Sequence, residues 1–437
     1  MYLTCWTSLL LLAGLYGPRQ GACYKSLRAV PNRHKAEVIK QSISFASSMD
    51  VEGGAVVDDL ANEGAQSLRS VLDLSFEELV SVVGGSGRAK MLWGMIRQGI
   101  DPWGEEDGLT PRSAKALAEA GVLSPAAPAQ VIHESTASCG TRKILLHLAD
   151  GADVETVIIP AEGSKRSRST VCVSSQIGCE RQCQFCMTGT MGLIRNLDAA
   201  EILAQVYHAK KICRSHNMPT LTNIVFMGMG EPLKNFNNVK QALEILTHGN
   251  QFDFGRSHIV VSTVGPSPQL IRKIAELPAL FAWSVHAAAD GARRGVVPTT
   301  AHPLAALRDA FGAALLAAAA RPGGGGGGRG LFVECAMIEG VTDTPELAQS
   351  LVDLLLPLPG KTKVNLLPYN DIGHPTYKKS SPERVKAFAD QVSLLSGRKI
   401  HCTIRTTRGE EEYAACGQLA TLESSASKGN KNSNTVF

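Results

Sequence analysis

Residues 178–189 read Gly178-Cys179-Glu180-Arg181-Gln182-Cys183-Gln184-Phe185-Cys186-Met187-Thr188-Gly189, which spaces three thiols as C-x3-C-x2-C. Thiolates this close can hold one metal centre from a single loop, and such sets select zinc or an iron–sulfur cluster. Structural zinc takes four protein ligands, as a rule in two separated pairs. Here no histidine or second pair adjoins, and Cys213 lies across a predicted helix. Three cysteines on a 4Fe–4S cluster would instead leave one iron open to a substrate or cofactor. The spacing favours that open cluster; zinc and a chance group of core cysteines are the alternatives.

Other residues with chemical potential are scattered along the chain. Gly228-Met229-Gly230-Glu231-Pro232 offers glycines that let backbone approach a ligand and a carboxylate that can accept from an ammonium. Taken alone it is a weak turn motif. Ser262, Ser284, Val285, His286 and Asn370 each fall at or just past the end of a predicted strand. Cys172 and Cys416 stand apart from the triplet, and a lone cysteine is ordinarily a small core residue. Glu155 reads as an exposed strand carboxylate. Lys165, Arg166, Arg168, Arg293, Arg294, Lys378 and Lys379 are candidate phosphate contacts, although a solvated charged face is the commoner meaning of such pairs.

These residues need elements to position them. From about residue 169 the chain alternates strand and helix. Strands are predicted over Val171–Gln176, 223–227, 258–263, 281–285, 331–338, 364–367 and 400–405. Helices are predicted over 197–211 (with Asp198 as cap), 237–246, 268–276, up to about 320, 345–355 and 382–395. Such alternation argues for parallel strands and an α/β fold, best a partial barrel. Sites in such folds collect at the carboxyl ends of strands. Before it, Lys143–Leu148 and Val154–Pro160 flank Asp150-Gly151 as a β-hairpin. A glycine-rich turn at Val83–Lys90 separates two amphipathic helical runs. Gly323–Gly328 read as a flexible spacer and the last fifteen or so residues as a disordered tail.

The cysteine loop after a strand resembles the signature of radical S-adenosylmethionine (SAM) enzymes. Its flanks, Thr170-Val171-Cys172-Val173-Ser174-Ser175-Gln176 and Arg195-Asn196-Leu197, resemble the RlmN/Cfr family of RNA adenine methyltransferases. The resemblance covers about residues 140–420. It implies a radical SAM barrel over 169–406, with an N-terminal helical accessory domain over 36–130 that is open to RNA contact. A β-hairpin linker would span 131–168, a C-terminal segment with a methyl-carrying cysteine 407–422, and a tail 423–437. It places a 4Fe–4S cluster on Cys179, Cys183 and Cys186. SAM contacts fall on Gly230, Glu231, Ser262, Ser284, Val285, His286 and Asn370. Cys416, in Ala414-Ala415-Cys416-Gly417-Gln418-Leu419, would be methylated by a first SAM; Glu155 would be the proton acceptor, and Cys172 would release product through a transient disulfide with Cys416.

The chemistry gives a reason for such a relay. An adenine carbon between two nitrogens is electron-poor and will not attack a methylsulfonium, so a radical route through cofactor and cluster is required. A second SAM would yield a deoxyadenosyl radical that takes hydrogen from the methyl group on Cys416. The resulting methylene radical would add to the base. The implied product is adenine methylated at carbon 2 in large-subunit rRNA and certain tRNAs. The partners implied are RNA and an external electron donor such as flavodoxin or ferredoxin, with the chain acting as a monomer and without a membrane. Methylation at carbon 8, as in the Cfr branch, is the rival, and an RNA-binding protein with a structural metal is the alternative of another class.

Bulk properties constrain less. The 437 residues, 44% hydrophobic and 19% charged, suit a soluble globular protein with room for two domains, and a net charge of +4 neither demands nor opposes a polyanionic partner. Eleven cysteines in this length do not suggest a disulfide scaffold, and the thiol triplet asks for a reducing compartment. Leu9–Leu15 is an apolar run too short to span a bilayer, and no acidic residue precedes Glu37. Residues 1–35 therefore read as a leader directing the chain to an organelle, plastid or mitochondrion, or as a misplaced start on a cytoplasmic protein.

Overall fold

The computed structural model describes residues 68–104, 108–161, 167–321 and 330–420. The leader, the glycine run, Lys165, Arg166 and the tail lie outside the described residues.

Two short strands, β1 (Arg69–Ser70) and β2 (Val122–Leu123), pair in parallel and bracket three helices: α1 (Phe76–Val83), α2 (Ser86–Arg97) and α3 (Pro111–Glu119). Ser75 and Glu78 close a capping box at the start of α1, and Gly84 ends it in the left-handed region. This helical unit is docked on the rest of the chain. Arg97 donates to the carbonyls of Gly249 and Gln251, Gln251 returns a bond to Leu74 O, and the Trp93 ring meets Phe252 edge-on at 5.3 Å. One apolar core, holding Leu79 and Trp93 together with Leu203 and Tyr207, runs across the junction.

The remainder is built on a ten-stranded sheet in the order β14-β13-β12-β11-β10-β9-β6-β5-β4-β3. Its antiparallel part is β3 (Ala129–Thr136), β4 (Arg142–Leu148), β5 (Asp153–Ala161) and β6 (Arg168–Cys172). From β6 onward neighbours are parallel: β9 (Leu221–Phe226), β10 (Ile259–Thr263), β11 (Leu280–Ser284), β12 (Leu331–Met337), β13 (Thr362–Pro368) and β14 (His401–Ile404). The sheet has two edges, β14 and β3, so the (β/α) barrel is partial. The predicted hairpin is present, but it continues the barrel sheet through β6 and gains an outer strand, β3. A small ribbon of β7 (Gln176–Cys179) and β8 (Gly192–Asn196) stands apart, with the one-turn helix α4 (Met187–Thr190) between its strands.

Helices α5 (Ala199–Ser215), α6 (Phe236–Thr247), α7 (Pro268–Lys273), α8 (Asp290–Val296), α9 (Leu304–Ala319), α10 (Pro345–Leu355) and α11 (Pro382–Leu395) connect the strands. Asp198 caps α5 as its sequence suggests, in a reciprocal box with Glu201. The strand predicted over Val171–Gln176 is split. The chain leaves the sheet after Cys172 because Ser174 bonds elsewhere: its N–H donates to Gln205 Oε1 at 2.7 Å and its hydroxyl to Glu155 O at 2.7 Å. That turn aims β7 and the cysteine loop across the carboxyl ends of the parallel strands. Among the described residues no helix is long and apolar enough to cross a membrane.

Candidate active site

Cys179, Cys183, Cys186, Gly230, Glu231, Ser262, Ser284, His286 and Cys416 line one cavity at the carboxyl end of the parallel strands. The cysteine loop, residues 180–191, is the connection inside the β7–β8 ribbon. Gly178, at φ +70, makes the ribbon possible, since a Cβ there would fall 1.9 Å from Gly192 O. Gly189 packs on the backbone of Cys183, where a Cβ would fall 2.8 Å from Cys183 O. All three thiols are free, and burial pushes Cys179 up to about 12. Cys183 is raised well above the ordinary thiol value, by burial first and then by the charges of Cys186 and Cys179. Buried thiols that repel one another when ionised are a set that a metal centre would stabilise as thiolates. Among the described residues no three such side chains converge as ligands of one metal ion. A cluster makes no such demand, because each thiolate ligates a different iron. Three thiols on one loop are a donor set that suits an iron–sulfur cluster.

Cys416 arrives from the far end of the chain and is held against this loop. Met187 N–H donates to Gly417 O at 2.7 Å, and Thr188 Oγ1 donates to Leu419 O at 2.6 Å. Asn370 Nδ2 donates to Cys416 O at 2.9 Å. Gly417, at φ +86, lies so close that a Cβ would be 2.9 Å from Phe185 O. Cys416 is exposed, but its surface opens into the cavity, whose walls push its thiol up to about 12; Cys186 and Glu334 add to the effect of burial. Cys172, at the end of β6, is buried and also pushed up to about 12, by burial first and by the nearby Cys416 second.

Glu155 corrects the expectation of an exposed strand carboxylate, for it is 3% exposed. The covering element is the same C-terminal segment: Ala420 N–H donates to Glu155 Oε2 at 2.7 Å, and Lys143 Nζ lies 3.0 Å from Oε1. Burial raises its carboxyl above the ordinary range, against the pull of Lys143. Lys143 went unnoticed in the sequence, although the hairpin register puts it diagonally across from Glu155.

The glycines of the 228–232 motif serve packing within the chain. A Cβ on Gly230 would be 2.5 Å from Gln176 Cβ, and one on Gly228 2.7 Å from Ser174 Oγ. They let the turn after β9 nest on the turn after β6. Glu231 is buried and accepts from Thr263 Oγ1 at 2.6 Å, Val264 N at 2.9 Å and Leu233 N at 3.0 Å. A carboxylate offers about four acceptor positions, so one is left for a ligand. Ser262 and Ser284 share a hydrogen bond of 2.9 Å. His286 has φ +60, accepts from Ala336 N on Nδ1 and packs on Phe185 at 4.3 Å; burial lowers it to about 3, so it is a neutral imidazole. Val285 is fully buried, and its carbonyl accepts from Arg293. Asn370 Oδ1 is buried without a partner.

Arg293 is removed from the phosphate-contact candidates. It is fully buried, with its guanidinium on the carbonyls of Ser284, Val285 and Val264 at the ends of β11 and β10. Lys379 is paired with Glu410 at 2.8 Å.

Comparison with known proteins assigns this arrangement. Residues 173–315 match the radical SAM superfamily. A dual-specificity RNA methyltransferase RlmN of Cereibacter sphaeroides (strain ATCC 17029) is 35% identical over 377 residues, covering 82% of this chain and 91% of the relative. The RlmN of Psychrobacter arcticus is 38% identical over 306 residues, covering 67% of this chain and 72% of the relative. The chain belongs to the RlmN family. The solved structure of a radical SAM methyltransferase from Sphaerobacter thermophilus superposes with a TM-score of 0.69 at 32% identity, covering 80% of this chain and 98% of that one. This RlmN-family chain is accordingly a SAM-dependent RNA methyltransferase built on a radical SAM fold.

Proposed function

We propose that the chain methylates carbon 2 of an adenine in large-subunit rRNA and in tRNA, with Cys416 as the carrier of the transferred carbon. The observation that best supports this is the fixing of residues 416–420 between the cysteine loop and Glu155. It brings a thiol and a set of cluster ligands onto one cavity and ties the same C-terminal segment to a buried carboxylate. In this reading Cys179, Cys183 and Cys186 hold a 4Fe–4S cluster, and Gly230, Glu231, Ser262, Ser284, Val285, His286 and Asn370 surround SAM. Glu231 has an acceptor position for the SAM ammonium, and Asn370 Oδ1 and the serine pair offer further polar contacts.

Cluster and SAM together supply, when bound, a radical strong enough to take hydrogen from a methyl group on Cys416. The chain's residues do the rest. Cys416 presents its methylene carbon to the base and becomes bonded to it, and the odd electron this leaves on the ring would pass to the oxidised cluster that Cys179, Cys183 and Cys186 hold when it is bound. Glu155 takes the ring proton, a task for which burial has raised its affinity for protons. Cys172, as the thiolate, then attacks Cys416 sulfur, so that a disulfide forms, the sulfur–carbon bond breaks and its electron pair leaves with the product, which takes up a proton to complete its methyl group. Resetting that disulfide, like reducing the cluster, needs an external donor of the flavodoxin or ferredoxin type. The division into accessory domain, hairpin, barrel and C-terminal segment follows these roles, with the accessory helices and the exposed cations Arg168 and Arg294 meeting RNA.

Anaerobic reaction of the reconstituted protein with rRNA and tRNA, followed by mass spectrometry of the digested nucleosides against standards, tests the reading. It predicts 2-methyladenosine. Sole formation of 8-methyladenosine would move the chain to Cfr-type chemistry.

A further inference from the structure

A rung of polar side chains crosses the parallel sheet at the level of the cavity. Strand register sets Ser284, Glu334, Asn365 and Thr403 side by side on β11, β12, β13 and β14. Thr403 Oγ1 donates to Asn365 Oδ1 at 2.6 Å, which fixes the Asn365 amide. Its Nδ2 then donates to Glu334 Oε1 at 2.7 Å. Glu334 is 3% exposed, and its other oxygen, Oε2, is buried with no hydrogen-bond partner. Glu334 lines the cavity together with Ser262 and Ser284. An acceptor withdrawn from water and left without a donor is costly inside a protein unless a ligand brings the donor.

We infer that Glu334 Oε2 receives a ribose hydroxyl of SAM, beside the Ser262–Ser284 pair. The inference rests on the reading that this cavity holds SAM. Of the donors SAM carries, the ammonium is matched by Glu231. A purine amino group only donates, whereas Glu334 stands in a polar rung beside the Ser262 and Ser284 hydroxyls, which both donate and accept. A vicinal diol, which both donates and accepts, fits a carboxylate oxygen flanked by hydroxyls.

The test is calorimetric binding of S-adenosylhomocysteine, which cannot react, to the anaerobic holoenzyme. Because Asn365 keeps the first oxygen position an acceptor, Glu334→Gln must turn its NH2 toward the ligand and oppose a donor with a donor. Affinity should fall roughly 10- to 100-fold, the scale of a hydrogen bond to a charged group. Wild type should lose a similar factor with the 2′-deoxy or the 3′-deoxy analogue, and E334Q should lose little more with that same analogue. E334Q binding within about twofold of wild type, or equal further losses in both proteins, would overturn the inference. If E334Q fails to keep its iron, wild type decides alone: binding both deoxy analogues as tightly as the parent refutes the contact. Wild type that bound no S-adenosylhomocysteine would overturn the reading of the cavity, and this inference with it.

Discussion

Replacing Glu155 by glutamine separates proton transfer from everything else the site does. The substitution keeps the side-chain volume and an oxygen for Ala420 N–H, so the C-terminal segment stays docked. It removes the anion facing Lys143, which retains a longer contact to Tyr413 O at 3.4 Å. With Glu155 only 3% exposed, bulk water cannot reach the position to act in its place. The loss should therefore be that of a positioned general base, about 100- to 10,000-fold, or roughly 3 to 5 kcal/mol at the transition state. Single-turnover methylation of an RNA substrate under anaerobic conditions reads it. In wild type the same rate should rise with pH through a midpoint above the ordinary carboxylate range, because burial raises Glu155. Stability runs the other way. A carboxyl that binds its proton more tightly when folded contributes fully below its unfolded value of about 4.3. That contribution is lost as pH climbs through the folded value, so wild type should lose stability relative to E155Q over this window. An E155Q enzyme with wild-type turnover would refute the assignment of the base.

Other perturbations address the remaining parts. Cys172→Ala leaves Cys416 able to join the base but removes the thiol that releases it, so a denaturation-resistant protein–RNA adduct should accumulate on gels; prompt release of methylated RNA would contradict the role. Gly417→Ala puts a Cβ 2.9 Å from Phe185 O at φ +86. It should displace Cys416 and cut methylation at least about tenfold, the sensitivity expected of a misplaced reacting group, while the protein still folds and keeps its iron.

Local spacing made the cysteine triplet and the Asp198 cap legible, because each is decided within a few residues. The β/α alternation was equally plain, since strands such as β10, β11 and β12 are largely buried and mostly apolar, with helical patterns between them. Long-range cover was not legible. Glu155 looks exposed in a strand, and only the return of Ala420, 265 positions later, buries it. Strand β3 escaped because it is an edge strand whose polar run His133-Glu134-Ser135-Thr136 carries no apolar face, and β8 because it is short and half exposed. Glycines 228 and 230 line the cavity, but their close packing on Ser174 and Gln176 could not be foreseen from the local motif. Arg293 looked like one of a surface pair until α8 turned it inward, onto carbonyls at strand ends that local pattern cannot foresee.

The central claim is that the carbon added to RNA passes through the sulfur of Cys416. Cys416→Ala protein, reconstituted without air and shown by iron content and absorbance to hold its cluster, measures this directly when incubated with RNA, SAM and a reductant. The account predicts that mass spectrometry of the digested RNA finds no methylated adenine. Methylated adenine formed by that variant at a rate comparable to wild type would contradict it.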